Sequence, residues 1–152
     1  MPYLKQQQYL PVSPEHAWKF FSNPSNLNAV TPPGLDFRIT SEVPDSMYEG
    51  LMITYSLKPM LKVSLTWWTE ITHIVEGKYF IDEQRKGPYR IWHHEHHFEP
   101  KGQGVLMTDI LYYDIGKSFF GWLAGRIFVH RRVRQIFAYR RQALEKYFSV
   151  PR

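Results

Sequence analysis

The chain of 152 residues contains no cysteine. Disulfide staples and thiolate metal sites are therefore excluded, which suits a reducing compartment. Long apolar runs are also lacking. The longest, Phe119 to Val129, is interrupted by Arg126 and falls well short of the roughly 20 residues a membrane span needs. Met1 to Leu10 holds no apolar core of signal-peptide length, so a cytoplasmic location is expected. Glycine is sparse, and none of it sits in a phosphate-binding pattern. Gly121 and Gly125 are spaced for close packing at the start of a helix. No glycine-rich turn follows a parallel strand, so dinucleotide binding is not expected. No linker, repeat or low-complexity segment divides the chain, and residues 1–152 read as a single domain. A domain of this length buries roughly 70% of the surface its unfolded chain exposes, enough for a core without staples.

Aromatic residues are abundant, with 5 Trp, 10 Tyr and 10 Phe, and many fall in alternating patterns. Aromatics bury large areas and also line apolar pockets, so composition alone leaves a packed core and a lined cavity both open. The formal charge is +5, and the excess is late, in Arg126, Arg131, Arg132, Arg134, Arg140, Arg141 and Lys146. A basic helix can meet nucleic acid or an anionic membrane. A solvated helix face is the simpler reading. No nucleic-acid partner is expected, while peripheral membrane contact stays open, as does the oligomeric state.

The order of elements follows from punctuation and period. Residues 3–10 read as a strand ended by Pro11. Ser13-Pro14-Glu15 is a helix start: serine caps free amides, proline fits the first helical position, and glutamate favours the positive end of the dipole. Asn23-Pro24 begins a second short helix to about Val30, and Thr31-Pro32-Pro33-Gly34 stops it. Period two then predicts strands over 36–41, 51–58, 63–74, 79–86, 91–99 and 105–114, joined by short turns as in an antiparallel meander. Residues 119–148 are expected to form one long helix. Its apolar stripe is Leu123, Ile127, Val133, Ile136, Phe137, Leu144 and Phe148. A seven-stranded sheet with one apolar face needs a cover, and only this helix is long enough. The expected architecture is α+β, a curved antiparallel sheet wrapped around the C-terminal helix, with two short helices after the first strand plugging one end.

Several stretches carry a family resemblance. They are Phe21-Ser22-Asn23-Pro24 with Leu27, Thr31-Pro32-Pro33, Glu49-Gly50 with Tyr55, and Trp67 with Thr69 and Ile71. Phe80-Ile81-Asp82-Glu83-Gln84 and Gly87-Pro88-Tyr89 follow. The longest is Trp92-His93-His94-Glu95-His96-His97-Phe98-Glu99. Thr108-Asp109 with Tyr113 and Phe137-Ala138-Tyr139-Arg140 complete the set. Together with the element order, these stretches resemble the helix-grip fold of the START-like, or SRPBCC, superfamily, and within it the bacterial polyketide-cyclase-like branch. The resemblance implies an internal pocket for an apolar or amphipathic ligand such as a lipid, quinone or polyketide-like compound. It implies no agreed catalytic residue, because the superfamily hosts carriers, sensors and enzymes alike.

Alternation places Trp92, His94, His96 and Phe98 on one face of their strand, and the two apolar residues mark that face as inward. Asp82 and Gln84 share a face with Phe80. Asp109 shares one with Leu111 and Tyr113, and Trp67 with Leu65, Thr69 and Ile71. The candidate ligand-binding set is Tyr55, Trp67, Asp82, Gln84, Trp92, His94, His96, Phe98, Asp109, Tyr113, Phe137 and Arg140. Three readings of its polar members compete. They form a buried hydrogen-bond network; or they make the polar end of an apolar pocket; or they bind a metal, since His-x-His on one face suits metals and Asp82 or Asp109 can add a carboxylate. A third histidine on that face is missing, and His93 and His97 point away, so no metal and no other cofactor is expected. A cyclase or dehydratase using His94, His96, Asp109 and Tyr113 is the alternative to a carrier. Arg140 lies on or beside the helix stripe, where it either meets Asp82 or Asp109 or runs its stem out to solvent.

Overall fold

The Ser13 hydroxyl accepts a hydrogen bond from the backbone N–H of His16, and the helix it caps, α1, spans Pro14–Phe21 with Ala17, Phe20 and Phe21 buried. Asn23 caps the next segment in the same way, its side chain accepting from the Ser25 N–H. That segment, Pro24–Val30, winds as a 3-10 helix, and a further 3-10 turn covers Pro33–Leu35. These pieces follow strand β1 (Tyr3–Leu10) and precede β2 (Arg38–Ile39). Then come β3 (Met52–Met60), β4 (Val63–Val75), β5 (Tyr79–Lys86), β6 (Ile91–Lys101), β7 (Gly104–Asp114) and the long helix α2 (Ala124–Ser149). The computed structural model describes residues 1–60, 62–116 and 124–149. Residues 119–123 of the expected helix lie outside them.

All seven strands join one antiparallel sheet in the order β1-β7-β6-β5-β4-β3-β2. The first strand thus pairs with the last, Tyr3 opposite Tyr112 and Leu10 opposite Val105. The meander folds as alternation predicts, apart from a shortened β2 and register shifts along β3 and β4. β2 is only two residues long instead of running over 36–41. Asp36 turns into the left-handed region at φ 44°. Its carboxylate is held there by Arg38 at 3.1 Å and Lys58 at 2.9 Å. In β4, the register against β5 shifts between Ile71 and His73. Such a bulge advances the alternation by one residue, so Ile74 rather than His73 returns to the core.

The helix α2 lies against β1 and the Pro24–Val30 segment. Val133, Phe137, Arg140, Leu144 and Phe148 are buried, at steps of four, three, four and four. Ile127 departs from the expected stripe and is 65% exposed. It lies six residues before Val133, about 120° around the helix from it at 3.6 residues per turn. Val129, one turn before Val133, packs on the core in its place. Hydrogen bonds fasten the helix to the edge strand. Gln8 Nε2 donates to the Arg141 carbonyl at 2.9 Å, and Arg141 Nη1 donates to the Gln7 carbonyl at 3.1 Å. Among the described residues, no helix is long and apolar enough to cross a membrane.

Candidate functional site

Strand β6 builds the centre of the site. In-register pairing sets Asp82 opposite His94 on one side and Asp109 opposite His96 on the other. Alternation turns all four side chains to the face that α2 covers, as the sequence pattern requires. Arg140 reaches them from the helix. His94 and His96 are 5% and 4% exposed and Asp109 is 3%, so this is charge placed in a core.

The four groups interlock. Asp109 Oδ1 lies 3.2 Å from His94 Nε2 and 2.9 Å from His96 Nδ1. Asp82 Oδ2 lies 2.8 Å from His96 Nε2 and 3.5 Å from His94 Nδ1. Each histidine thus faces one carboxylate through each ring nitrogen. Arg140 Nη2 stands 3.3 Å from His96 Nδ1 and 3.8 Å from Asp109 Oδ1. Phe80 stacks on His96 at 4.2 Å between ring centroids, and Phe137 covers His94 at 5.3 Å.

Charge sorts itself by these contacts. Burial works to raise the Asp109 carboxyl, but Arg140 and hydrogen bonds from both histidines outweigh it and hold the group well below the usual carboxylate range. Burial likewise opposes ionisation of Asp82, and the hydrogen bond from His96 overcomes it. The two imidazoles move apart. Burial and the neighbouring His96 depress His94, whereas hydrogen bonds to Asp109 and Asp82 raise His96 against its burial. Between the two carboxylates, His96 thus holds its proton more tightly than His94 does.

In front of this cluster lies a cavity of about 220 Å³ between the sheet, the short helical segments and α2. Its aromatic wall contains Tyr55, Trp67, Tyr89, Trp92 and Phe137. Trp67 stacks near-parallel on Tyr55 at 5.9 Å and meets Trp92 edge-on at 5.1 Å. Asp82, His94, His96 and Arg140 supply the polar end. Leu35 and Phe37, after the Pro32-Pro33 turn, close another side. The Trp67 indole N–H is buried and has no hydrogen-bond partner among the described residues.

Of the twelve candidate residues, Tyr55, Trp67, Asp82, Trp92, His94, His96, Phe137 and Arg140 line this cavity. Four stand elsewhere. Asp109 lies behind the two histidines and binds them. Phe98 packs in the core against Phe21 at 5.1 Å and Trp18 at 5.7 Å. Gln84 is occupied by its own turn. Its carbonyl oxygen accepts from the Tyr89 N–H at 3.2 Å and its Nε2 donates to the Tyr89 carbonyl at 2.5 Å. The hydroxyl of Tyr113 pairs with His130 Nδ1 on α2.

Tyr89 and Arg132 are among the cavity residues that the candidate set lacks. Tyr89 follows Gly87-Pro88 and reads as turn; the Gln84 clamp brings its ring to within 4.7 Å of Trp92. Arg132 sits in the basic stretch and reads as solvated, yet it lines the cavity and its Nε is buried without a partner among the described residues. Its Nη2 donates to the Pro59 carbonyl at 3.4 Å. The spacing of eight residues between Arg132 and Arg140, close to two helical turns, is the signal that places both on one face.

The same architecture is found in solved structures. TTHA0849 from Thermus thermophilus superposes with a TM-score of 0.67 at 17% identity, covering 95% of each chain. Ms6760 from Mycobacterium smegmatis gives 0.69 at 13% identity, with 97% of this chain and 90% of that one covered. Ara h 8.0201 gives 0.69 at 14% identity over 97% of both chains. The chain thus has the helix-grip fold. No family profile matches its sequence, and no curated protein does.

Proposed function

We propose that the protein binds and carries one small apolar or amphipathic molecule, such as a lipid, quinone or polyketide-like compound, in the cavity beneath α2. The observation that supports this reading is an aromatic chamber with polar groups gathered at one end. Apolar walls hold a ligand by excluding water, and a few placed polar groups orient it. The volume exceeds that of a cavity of about 150 Å³ that stays dry and takes up benzene. The orphan indole N–H of Trp67 asks for an acceptor, which a ligand carbonyl or hydroxyl can supply. Small apolar ligands are also the usual cargo of this fold, so the polyketide-cyclase-like likeness points the same way.

A naphthalene sulfonate fluorophore is expected to bind the native protein at one site. Trp92→Ala should weaken it about tenfold, equivalent to about 1.4 kcal/mol. Unchanged affinity in a folded Trp92→Ala variant would place the probe elsewhere and reject the cavity.

The second reading is catalytic, with His94 as a base on the cavity wall and Asp109 behind it at 3.2 Å. An imidazole backed by a carboxylate can take a proton from carbon next to a carbonyl. The Tyr113 hydroxyl, engaged with His130, takes no part. A ketone incubated in deuterated water should then exchange its α-hydrogens, and His94→Gln should abolish the exchange while ligand affinity persists. Exchange no faster than in buffer rejects catalysis.

A further inference from the structure

The pairing of ring nitrogens with carboxylates has a direction. Asp109 takes one nitrogen of each histidine, His94 Nε2 and His96 Nδ1. The remaining two, His94 Nδ1 and His96 Nε2, both turn to Asp82 Oδ2. Metal-binding histidines are held in this manner: one nitrogen ligates, and the other donates its N–H to a carboxylate that fixes tautomer and ring orientation. One donor atom each from Asp82, His94 and His96 lies within 4.8 Å of the others. A tetrahedral ion with bonds of about 2.0–2.2 Å needs donors about 3.3–3.6 Å apart. The contact of 2.8 Å between His96 and Asp82 has to open by about 0.5–0.8 Å, while the 3.5 Å contact is already of that size.

We propose that Asp82, His94 and His96 form a binding site for one divalent transition-metal ion, with Asp109 as the positioning carboxylate behind it. Two imidazoles and a carboxylate are the donor set of Zn²⁺ and its neighbours rather than of Mg²⁺ or Ca²⁺, which prefer all-oxygen shells. Arg140 stands on the Asp109 side and offsets that carboxylate's charge, which leaves Asp82 to the ion. Three protein donors leave a fourth position open, as in sites that take a water or a substrate atom. Asp82, His94 and His96 all line the cavity, so that position faces it. Trp67 lines the same cavity, and its buried indole N–H lacks a partner among the described residues. That is a second sign that a polar guest completes the chamber. The proposal stands apart from the nature of the apolar cargo.

The untagged chain, stripped with a chelator and dialysed, is titrated with Zn²⁺ by calorimetry and with Co²⁺ by visible absorption. One equivalent of Zn²⁺ should bind, and Co²⁺ should develop the intense d–d bands of a four-coordinate site. Asp82→Asn and His94→Gln should each weaken Zn²⁺ at least tenfold. Asp109→Asn, which keeps the ligands, should weaken it about 10–100-fold. His93→Gln and His97→Gln, in the outer group with Glu83 and Glu95, should leave affinity unchanged. Absence of stoichiometric binding in the unaltered chain overturns the proposal whatever the variants do. So does loss of binding in His93→Gln with retention in folded Asp82→Asn. Naphthalene sulfonate is titrated into the metal-free chain in parallel. Zn²⁺ binding without probe binding keeps this site and rejects the carrier, and the converse does the opposite.

Discussion

Asp109→Ala is expected to lower the free energy of unfolding by about 3–5 kcal/mol, the range for removing one partner from a buried ion pair. The carboxylate is 3% exposed and accepts from His94 and His96. It also faces the Arg140 guanidinium, whose residue is itself 9% exposed. Without it, a buried cation and two imidazoles lose their counter-charge, and the Arg140 Nε is already without a partner among the described residues. Urea unfolding followed by tryptophan fluorescence measures the loss. The double variant Asp109→Leu with Arg140→Met should fall well short of the summed single losses, because no uncompensated charge is left inside. A single-variant loss below about 1 kcal/mol would mean that water reaches the cluster and screens it.

Phe98→Ala is expected to cost about 3–5 kcal/mol by emptying a space the core cannot close. Phe98 is 4% exposed and ringed by Trp18, Phe21 and Phe80, so its removal strips contacts between β6, α1 and β5. Because it lies outside the cavity wall, naphthalene sulfonate affinity of the folded fraction should stay within about twofold of the parent, unlike in Trp92→Ala, where about tenfold is expected. Guanidinium unfolding and probe titration of the two variants separate core from cavity. Equal losses of affinity in both would show that Phe98 shapes the chamber.

The inward assignment of His94 and His96 was legible because a strand has period two and its apolar flanks, Trp92 and Phe98, fix which face is inside. The same logic correctly placed Asp82 and Asp109. It could not say which inward residues reach open space. Phe98 and Trp92 share a face, yet Phe98 packs beneath α1 and Trp92 borders the cavity, a distinction set by what stands opposite. Gln84 shares the face of Asp82, but its amide matches the backbone of Tyr89 across a short turn, and only three-dimensional reach reveals that. The bulge at Ile71–His73 left no mark in composition. Ile127 is apolar, but its angle on the helix, about 120° from Val133, turns it away from the buried stripe. The element order survived all of this, because Pro, Gly and caps punctuate it independently of side-chain packing.

The neighbour relation of β1 and β7 reaches beyond the resting molecule. Tyr3 faces Tyr112, so the chain must bring β1 and β7 together before the sheet is complete. Gln6 and Gln8 are seated by carbonyls of α2, later still in the chain. During synthesis the first strand emerges with nothing to pair with, and the meander from β3 to β6 can form while it waits. Closing so long a loop costs entropy before any ladder bond repays it. Sheets dominated by such distant pairings fold slowly, in milliseconds to seconds. The cavity's walls thus come from distant parts of the chain: β1 and β7 meet across the whole meander, and the enclosing helix follows every strand it covers.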